Sequence, residues 1–181
     1  MTDEMKTCGE WRKLSVKDKN AEFLENQNCL ALHRLPARSV LIPATGKGVY
    51  YRNKEASPLL QSLNGDYRFR YCESDSIEDF YRVSFSDDEW DIIDVPSMWQ
   101  YRGYGSCAYP NVEYPIPFDP PFVRCKNPVG YYRRTFDIGT LPARAILHFG
   151  GVDNAFFVYL NGTFVGFSKG SRIPAEFDVA S

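Results

Sequence analysis

The chain has 181 residues, of which 44% are hydrophobic and 24% charged, and its formal net charge is −2. That size suits one domain with a single core, and the balance of charge, without a basic stripe, argues against nucleic-acid binding. No apolar run approaches the roughly 20 residues of a membrane-spanning helix. Residues 1–19 are polar and contain no hydrophobic signal segment, so we expect a cytoplasmic protein that does not bind membranes.

Cysteine usage points to neither a metal site nor a disulfide framework. The five cysteines are scattered and include no C-x-x-C pair, and His33 and His148 are the two imidazoles of the chain. A zinc site would need closer ligand spacing, and a disulfide framework would need an even number of cysteines. We therefore expect reduced thiols.

The first stretch, residues 1–48, is irregular. It contains a candidate short helix around Lys19–Leu30 and then an extended basic and apolar run, Arg34–Pro43. We interpret residues 1–48 as an N-terminal arm that packs on another surface, with a partly disordered terminus as the alternative. The folded domain is predicted over residues 49–181.

Alternating aromatic residues predict strands from Leu60 onwards. After the Asn64-Gly65 turn signal, Tyr67, Phe69 and Tyr71 alternate with arginines. Further strands are predicted at Trp90–Val95, Tyr131–Ile138, Arg144–Phe149, Ala155–Leu160 and Thr163–Ser168, the last two joined as a hairpin by Asn161-Gly162. Short strands with turn signals predict an all-β sandwich or jelly roll. Residues 169–181 contain no predicted closing strand, so we expect the chain to be truncated.

A long segment rich in proline and aromatic residues lies between Ser97 and Gly130. Its prolines exclude a central strand or a helix, and its rings need burial, which predicts an ordered loop. Five of its aromatic residues offer two interpretations, a platform for stacking sugars or an anchor for the loop, and we favour the anchor: Trp99, Tyr101, Tyr104, Tyr109 and Tyr114.

Three carboxylates are candidates for a pair of catalytic acids. They are Glu113, Asp119 and Glu176. Nothing in the pattern marks them for the buried, pKa-tuned pocket that such a pair requires, so we interpret them as solvated. No catalytic residue is predicted in this chain.

Several segments taken together carry a more specific signal. They are LNGDYRF at 63–69, VPSMWQ at 95–100, NVEYPI at 111–116, YRRTF at 132–136, HFGGVDNAF at 148–156 and GSRIPAEFD at 170–178. In this order they resemble the amino-terminal, sugar-binding domain of the bacterial β-galactosidases of glycoside hydrolase family 2. The resemblance extends from about residue 23 to residue 181.

The resemblance implies a galactose-binding-like jelly roll that is followed, in the full protein, by immunoglobulin-like domains and a TIM barrel. The family hydrolyses terminal β-galactosides with retention, through two glutamates that lie in the barrel. The resemblance also implies that Asn111 and Val112 lie on a loop that reaches the active site, where the asparagine binds galactose hydroxyls. From the residues alone, Asn111 after a proline is typical of a turn.

Two positions depart from the family in a way that bears on metals. Phe23 and Lys169 stand where relatives carry ligands of a remote magnesium site, so we predict no metal in this chain. Magnesium and sodium are expected, if present, in the missing domains of the full-length enzyme. The family also implies a homo-oligomer and a galactoside substrate. The alternatives are a stand-alone carbohydrate-binding module without hydrolase activity and an architectural spacer.

Overall fold

The computed structural model describes residues 20–45, 53–108, 116–140 and 142–180. These residues form eight strands, which are β1 (Ala31–Leu32), β2 (Gly65–Cys72), β3 (Asp91–Val95), β4 (Val129–Arg133), β5 (Ile146–Phe149), β6 (Ala155–Leu160), β7 (Thr163–Lys169) and β8 (Ala175–Asp178). Helix is confined, over these ranges, to a π-helical turn at Asn20–Leu24 and 3-10 turns at Lys54–Ala56 and Trp99–Arg102. None of these helical turns has the length and apolar character needed to cross a membrane. The predicted all-β class is confirmed.

The strands form three antiparallel sheets, in the orders β1-β7-β6, β3-β2-β4 and β5-β8. The strands predicted from the aromatic and apolar patterns are all present. The expectation that no strand follows residue 169 was wrong, because β8 pairs with β5 and places Phe177 opposite Leu147. Glu176 and Asp178 alternate with the two buried residues of β8. Because half of its residues are acidic, the segment did not resemble a buried strand in the sequence. The jelly-roll topology stays a prediction.

The β6–β7 hairpin turns at the two residues predicted for it. Asn161 and Gly162 have φ angles of 49° and 79°, so both are left-handed, as a two-residue type I′ turn requires. Leu160 pairs with Thr163 directly across this turn. The hairpin is therefore fixed locally by its sequence.

Two apolar clusters cover the two faces of the sheet β1-β7-β6. The first surrounds Phe23, Phe164 and Phe167, and the second surrounds Val158 and Phe177. Successive side chains of β6 enter different clusters, because alternate residues of a strand point to opposite faces. This sheet is consequently buried on both sides.

The sheet β3-β2-β4 is joined to this body through Tyr131 of β4 and Phe80, whose ring lies 5.5 Å from that of Tyr159 in β6. The Tyr131 side chain is buried, and its hydroxyl accepts hydrogen bonds from the backbone N–H groups of Ser76 (2.9 Å) and Ile77 (3.1 Å) and donates one to Asp75. Burial, with the hydrogen bond to Asp75, raises the pKa of Tyr131. The ring lies 4.8 Å from that of Phe80, so it holds residues 75–80 against the sheet.

The described part of the N-terminal arm packs on the domain itself. Ala31 pairs with Ser168 of β7, and the Leu35 N–H donates a 2.8 Å hydrogen bond to the carbonyl of Glu176. The surface on which this part of the predicted arm packs is thus formed by β7 and β8. The domain boundary between residues 48 and 49 stays a prediction.

Candidate functional site

The sheet β3-β2-β4 provides the surface on which the proline-rich loop begins. Phe69 of β2 and Tyr132 of β4 are directly paired, so their side chains share one face, and their ring centroids are 4.8 Å apart. Tyr71, two residues after Phe69, lies on the same face. Phe69 is completely buried. This face is a platform of aromatic rings, which we call the aromatic face.

Trp99 is the first contact of the loop with the aromatic face. Its ring centroid lies 6.2 Å from that of Phe69 and 5.7 Å from that of Tyr71, edge to face with the latter. Gly130 of β4 lies under the indole. A Cβ at this position would be 2.6 Å from Cε3 of Trp99 and 2.9 Å from Cε2 of Phe69. The close approach therefore needs glycine, and the predicted packing role of Trp99 is confirmed.

The turn that starts at Trp99 is closed by Gly103 and continues into Tyr104. Gly103 has φ 90°, in the left-handed region that glycine adopts without strain, and its N–H donates to the carbonyl of Gln100 at 3.2 Å. The Tyr104 N–H donates to the carbonyl of Trp99 at 3.1 Å. Its ring lies 4.8 Å from that of Phe69. Tyr104 packs on the aromatic face, as predicted.

Polar contacts with β3 hold the same turn. Burial, and to a smaller extent a hydrogen bond to the Asp91 carboxylate, raises the pKa of Tyr104. Arg102 forms an ion pair with Asp94. We call residues 97–105 the loop stem. Its rings lie on β2 and β4, whereas its polar groups bind β3, so all three strands of the sheet hold it.

Tyr101 departs from the predicted packing. Its side chain is 78% exposed, so the prediction that it anchors the loop was wrong. A 3-10 turn has three residues per turn, so a residue two positions after Trp99 points away from the surface that Trp99 covers. Tyr109 and Tyr114, which were grouped with it, lie outside the described residues.

The two predicted substrate-binding residues, Asn111 and Val112, also lie outside the described residues. The described chain resumes at Ile116. In the part that follows, Asp119 accepts a 2.6 Å hydrogen bond from Arg124, whose guanidinium lies 4.5 Å from the centre of the Phe122 ring. Lys126 pairs with Glu73, the residue after β2, at 2.5 Å. The loop therefore returns to the sheet from which its stem starts.

The three candidate carboxylates occupy different surroundings. Glu113 lies outside the described residues, and Asp119 is half-exposed and paired with Arg124. Glu176 was predicted to be solvated, and this was wrong, because its side chain is only 12% exposed. Arg38 donates to both carboxylate oxygens of Glu176, at 2.8 and 2.9 Å, and Nδ1 of His148 lies 3.0 Å from one of them. Arg38 of the arm thus covers the Glu176 carboxylate and compensates its charge. Glu176 therefore holds the arm on the domain.

Lys169 lies where the resemblance implies a metal ligand in relatives. Its ammonium donates to the carbonyl oxygens of Phe23 (2.9 Å), Leu24 (3.4 Å) and Asn26 (2.7 Å). A divalent ion prefers carboxylate oxygens and would be repelled by this cation, so the residues present do not fit one. No group of three or more histidine, cysteine or acidic residues able to hold a metal occurs in the described ranges. The absence of a metal stays a prediction.

Comparison with known proteins identifies the domain. The family model for the glycosyl hydrolases family 2, sugar binding domain, matches residues 60–181. The chain belongs to this family.

Its relatives include proteins named β-galactosidase. The one from Vibrio vulnificus (strain CMCP6) is 39% identical over 87% of the chain, and that from Priestia megaterium (strain DSM 319 / IMG 1521) is 38% identical over 88%. A third, from Staphylococcus xylosus, is 36% identical over 88% of the chain. The chain spans only 15–16% of the length of these relatives.

The family 2 match contains the aromatic face and the complete loop, but not Phe23 or β1. The importance of Gly130 was missed by reasoning from the sequence. The available signal was a glycine at the start of a predicted strand, which often marks the close approach of another group. The partners of Glu176 were missed because Arg38 is 138 residues away along the chain.

Proposed function

We propose that this chain is the sugar-binding domain of a longer β-galactosidase that hydrolyses terminal β-D-galactosides with retention. The observation that carries the proposal is the 38–39% identity to proteins of that name over 87–88% of the chain. The acid/base and nucleophile of a retaining mechanism are two carboxylates about 5 Å apart. We assign them to a catalytic barrel outside residues 1–181. A cytoplasmic location and assembly into homo-oligomers stay predictions.

In this proposal the chain contributes the Asn111–Val112 segment to the galactoside pocket. An amide both donates and accepts hydrogen bonds, which suits hydroxyl groups that do the same. Val112 adds an apolar contact beside it. The loop stem supports this role, because its rings and polar groups fix the start of the loop on three strands of one sheet.

Asn111→Ala in the complete protein tests the role of the amide. We expect kcat/KM for a chromogenic β-galactoside to fall about 10- to 100-fold, since the loss of one partner leaves a sugar hydroxyl unpaired. Asn127→Ala is the matched control, because Asn127 is exposed on the returning part of the same loop. An unchanged kcat/KM for Asn111→Ala would favour the architectural spacer.

Calorimetric titration of the 181-residue chain with galactose or lactose separates the proposed domain from a stand-alone carbohydrate-binding module. Small-ligand sites enclose most of the ligand surface, and here a second domain would supply most of that enclosure. We therefore expect no saturable binding at millimolar concentration or below. A saturable isotherm with a millimolar or tighter Kd would favour the stand-alone module and contradict our proposal.

A further inference from the structure

A groove opens on the face of β2 and β4 that is opposite the aromatic face. Arg68 and Arg133 are directly paired across these two strands, so their side chains lie side by side. The groove has a volume of about 470 Å³, which is within the range of small-molecule sites. We call it the arginine groove, and its lining includes Asp66, Arg68, Asp87, Arg133, Arg134 and Thr135.

The arginine groove is locally basic in an acidic chain. Three arginines and two aspartates give its lining a net charge of +1, whereas the whole chain carries −2. Arg133 forms a 3.0 Å ion pair with Asp87. Arg134 donates hydrogen bonds to two backbone carbonyls, at 2.9 and 3.0 Å. The protein itself therefore holds both of these guanidinium groups.

Arg68, the third arginine, is partly buried but poorly matched by the protein. A guanidinium carries five N–H donors. Over the described residues, that of Arg68 makes one hydrogen bond, from Nη1 to the carbonyl of Trp90, and this bond is long, at 3.4 Å. A carboxylate fits such a group well, because its two oxygens accept parallel hydrogen bonds from the guanidinium. The groove thus offers a place for one carboxylate.

Groups that bind hydroxyls lie near Arg68. Asp66 is two residues earlier on the same strand and face, so the two Cα atoms are about 6.6 Å apart. This spacing lets one sugar ring place a carboxylate at Arg68 and hydroxyl groups at Asp66. Thr135 adds a hydroxyl that both donates and accepts. An ammonium would also suit Asp66, but a zwitterion has no net charge and would leave the basic lining uncompensated.

We infer that the arginine groove binds a sugar acid, that is, a polyhydroxylated ring with one carboxylate, such as a hexuronate. Arg68 binds the carboxylate, and Asp66 and Thr135 bind hydroxyl groups. The same groups occur in a free sugar acid and in the terminal uronate of a polysaccharide. The inference does not rest on the proposed function, because it uses neither Asn111 nor Val112.

Titration of the 181-residue chain with galacturonate, followed by NMR chemical shifts, measures this binding. For a small ligand in an open groove we expect a Kd of about 1 mM. Galactose lacks the carboxylate and acetate lacks the ring, so both should bind at least about tenfold more weakly. Galactose or acetate binding as tightly as galacturonate would overturn the inference. No saturable binding of galacturonate would also overturn it, but would leave the proposed function standing.

Trigalacturonate distinguishes the two sources of the ligand. Binding that is tighter than that of galacturonate would indicate a polysaccharide, and equal or weaker binding would indicate a free sugar acid. Both results support the site.

Arg68→Met removes the guanidinium and keeps much of the apolar stem. We expect the Kd for galacturonate to rise at least about tenfold, because the charge-assisted hydrogen bonds are lost. Arg70→Met is the matched control: Arg70 is exposed on the same face of β2, carries the same charge and does not line the groove. An equal rise in both variants would mean that only the net charge of the chain matters, and would overturn the inference.

Asp66→Asn tests the hydroxyl contacts at an exposed position, where the fold should tolerate the change. We expect galacturonate to bind about three- to tenfold more weakly, since a carboxylate is a stronger acceptor for hydroxyls than an amide. Acetate should bind no more weakly than to the wild type. Tighter binding of galacturonate by Asp66→Asn would mean that Asp66 only repels the ligand, and would contradict the inferred hydroxyl contacts.

Discussion

The N-terminal segment, residues 20–38, and the loop stem both run irregularly over a sheet, but they are held in different ways. Phe23 of the N-terminal segment is 3% exposed, and its ring packs against those of Phe157 and Phe167, at centroid distances of 5.5 and 5.2 Å. Trp99 and Tyr104 of the loop stem are half-buried and lie on top of a ring that is already part of the sheet. One segment completes a core, and the other covers an aromatic face.

The two segments also differ in the polar groups that hold them. One ammonium, that of Lys169, gathers three carbonyls of the N-terminal segment, whereas two carboxylates, Asp91 and Asp94, hold side chains of the loop stem. A core contact is lost when the chain unfolds and contributes mainly to stability. A contact on the surface of a sheet buries less apolar area, so its loss should cost less. Substitutions in the N-terminal segment should therefore destabilise the chain more than substitutions in the loop stem.

Phe23→Ala should have the largest effect on stability. Removing a buried aromatic ring leaves a cavity in the first apolar cluster, and we expect the free energy of unfolding to fall by about 3 kcal/mol. Urea unfolding of the 181-residue chain, followed by circular dichroism, measures it. Val40→Ala is the control, since Val40 is 63% exposed in the same arm. Equal midpoints for the two variants would mean that the N-terminal segment does not complete the core.

Lys169→Met should have an intermediate effect, because methionine keeps most of the apolar stem and removes the donors. Hydrogen bonds to a charged group contribute more than neutral ones, so we expect a loss of about 2 kcal/mol. Lys126→Met, which breaks the exposed pair with Glu73, should leave the urea midpoint unchanged.

A chelator should not alter the midpoint of the wild type. A midpoint that falls on addition of the chelator would contradict the predicted absence of a metal.

Local signals in the sequence predicted much of the fold. The Asn161-Gly162 turn needs two left-handed residues, and that requirement is met within the dipeptide itself. The alternation of Tyr67, Phe69 and Tyr71 with arginines predicted β2, because alternate residues share a face. Such features depend on a few neighbouring residues and are therefore visible in the sequence.

Contacts between distant residues could not be predicted in the same way. Lys169 and the carbonyl of Asn26 are 143 residues apart, and no local pattern pairs them. The burial of Glu176 depends on Arg38, which arrives from the N-terminal arm. Tyr101 and Tyr104 are close together on the same loop stem, yet one is exposed and the other packs on Phe69, since the 3-10 turn decides which side chain faces the sheet. For Asn111, only the family resemblance indicated a role.

Tyr104→Phe should have the smallest effect and tests how the loop stem is held to β3. Removing the hydroxyl eliminates the hydrogen bond to Asp91, and we expect a loss of about 1 kcal/mol near pH 7. Tyr101→Phe, on the exposed ring, is the control and should change nothing.

The pH dependence of the Tyr104→Phe effect provides the sharper test. Burial, together with the Asp91 hydrogen bond, raises the pKa of Tyr104, so the folded state keeps the proton at a pH where the unfolded state loses it. The stabilisation by this hydroxyl is therefore complete below about pH 10 and is lost as the pH rises through the folded pKa. The difference between the wild type and Tyr104→Phe, measured by urea unfolding, should accordingly shrink above about pH 10. A difference that persisted unchanged at higher pH would mean that the proton of the hydroxyl does not bind the stem to β3, and that the ring of Tyr104 holds the stem by packing on Phe69 alone.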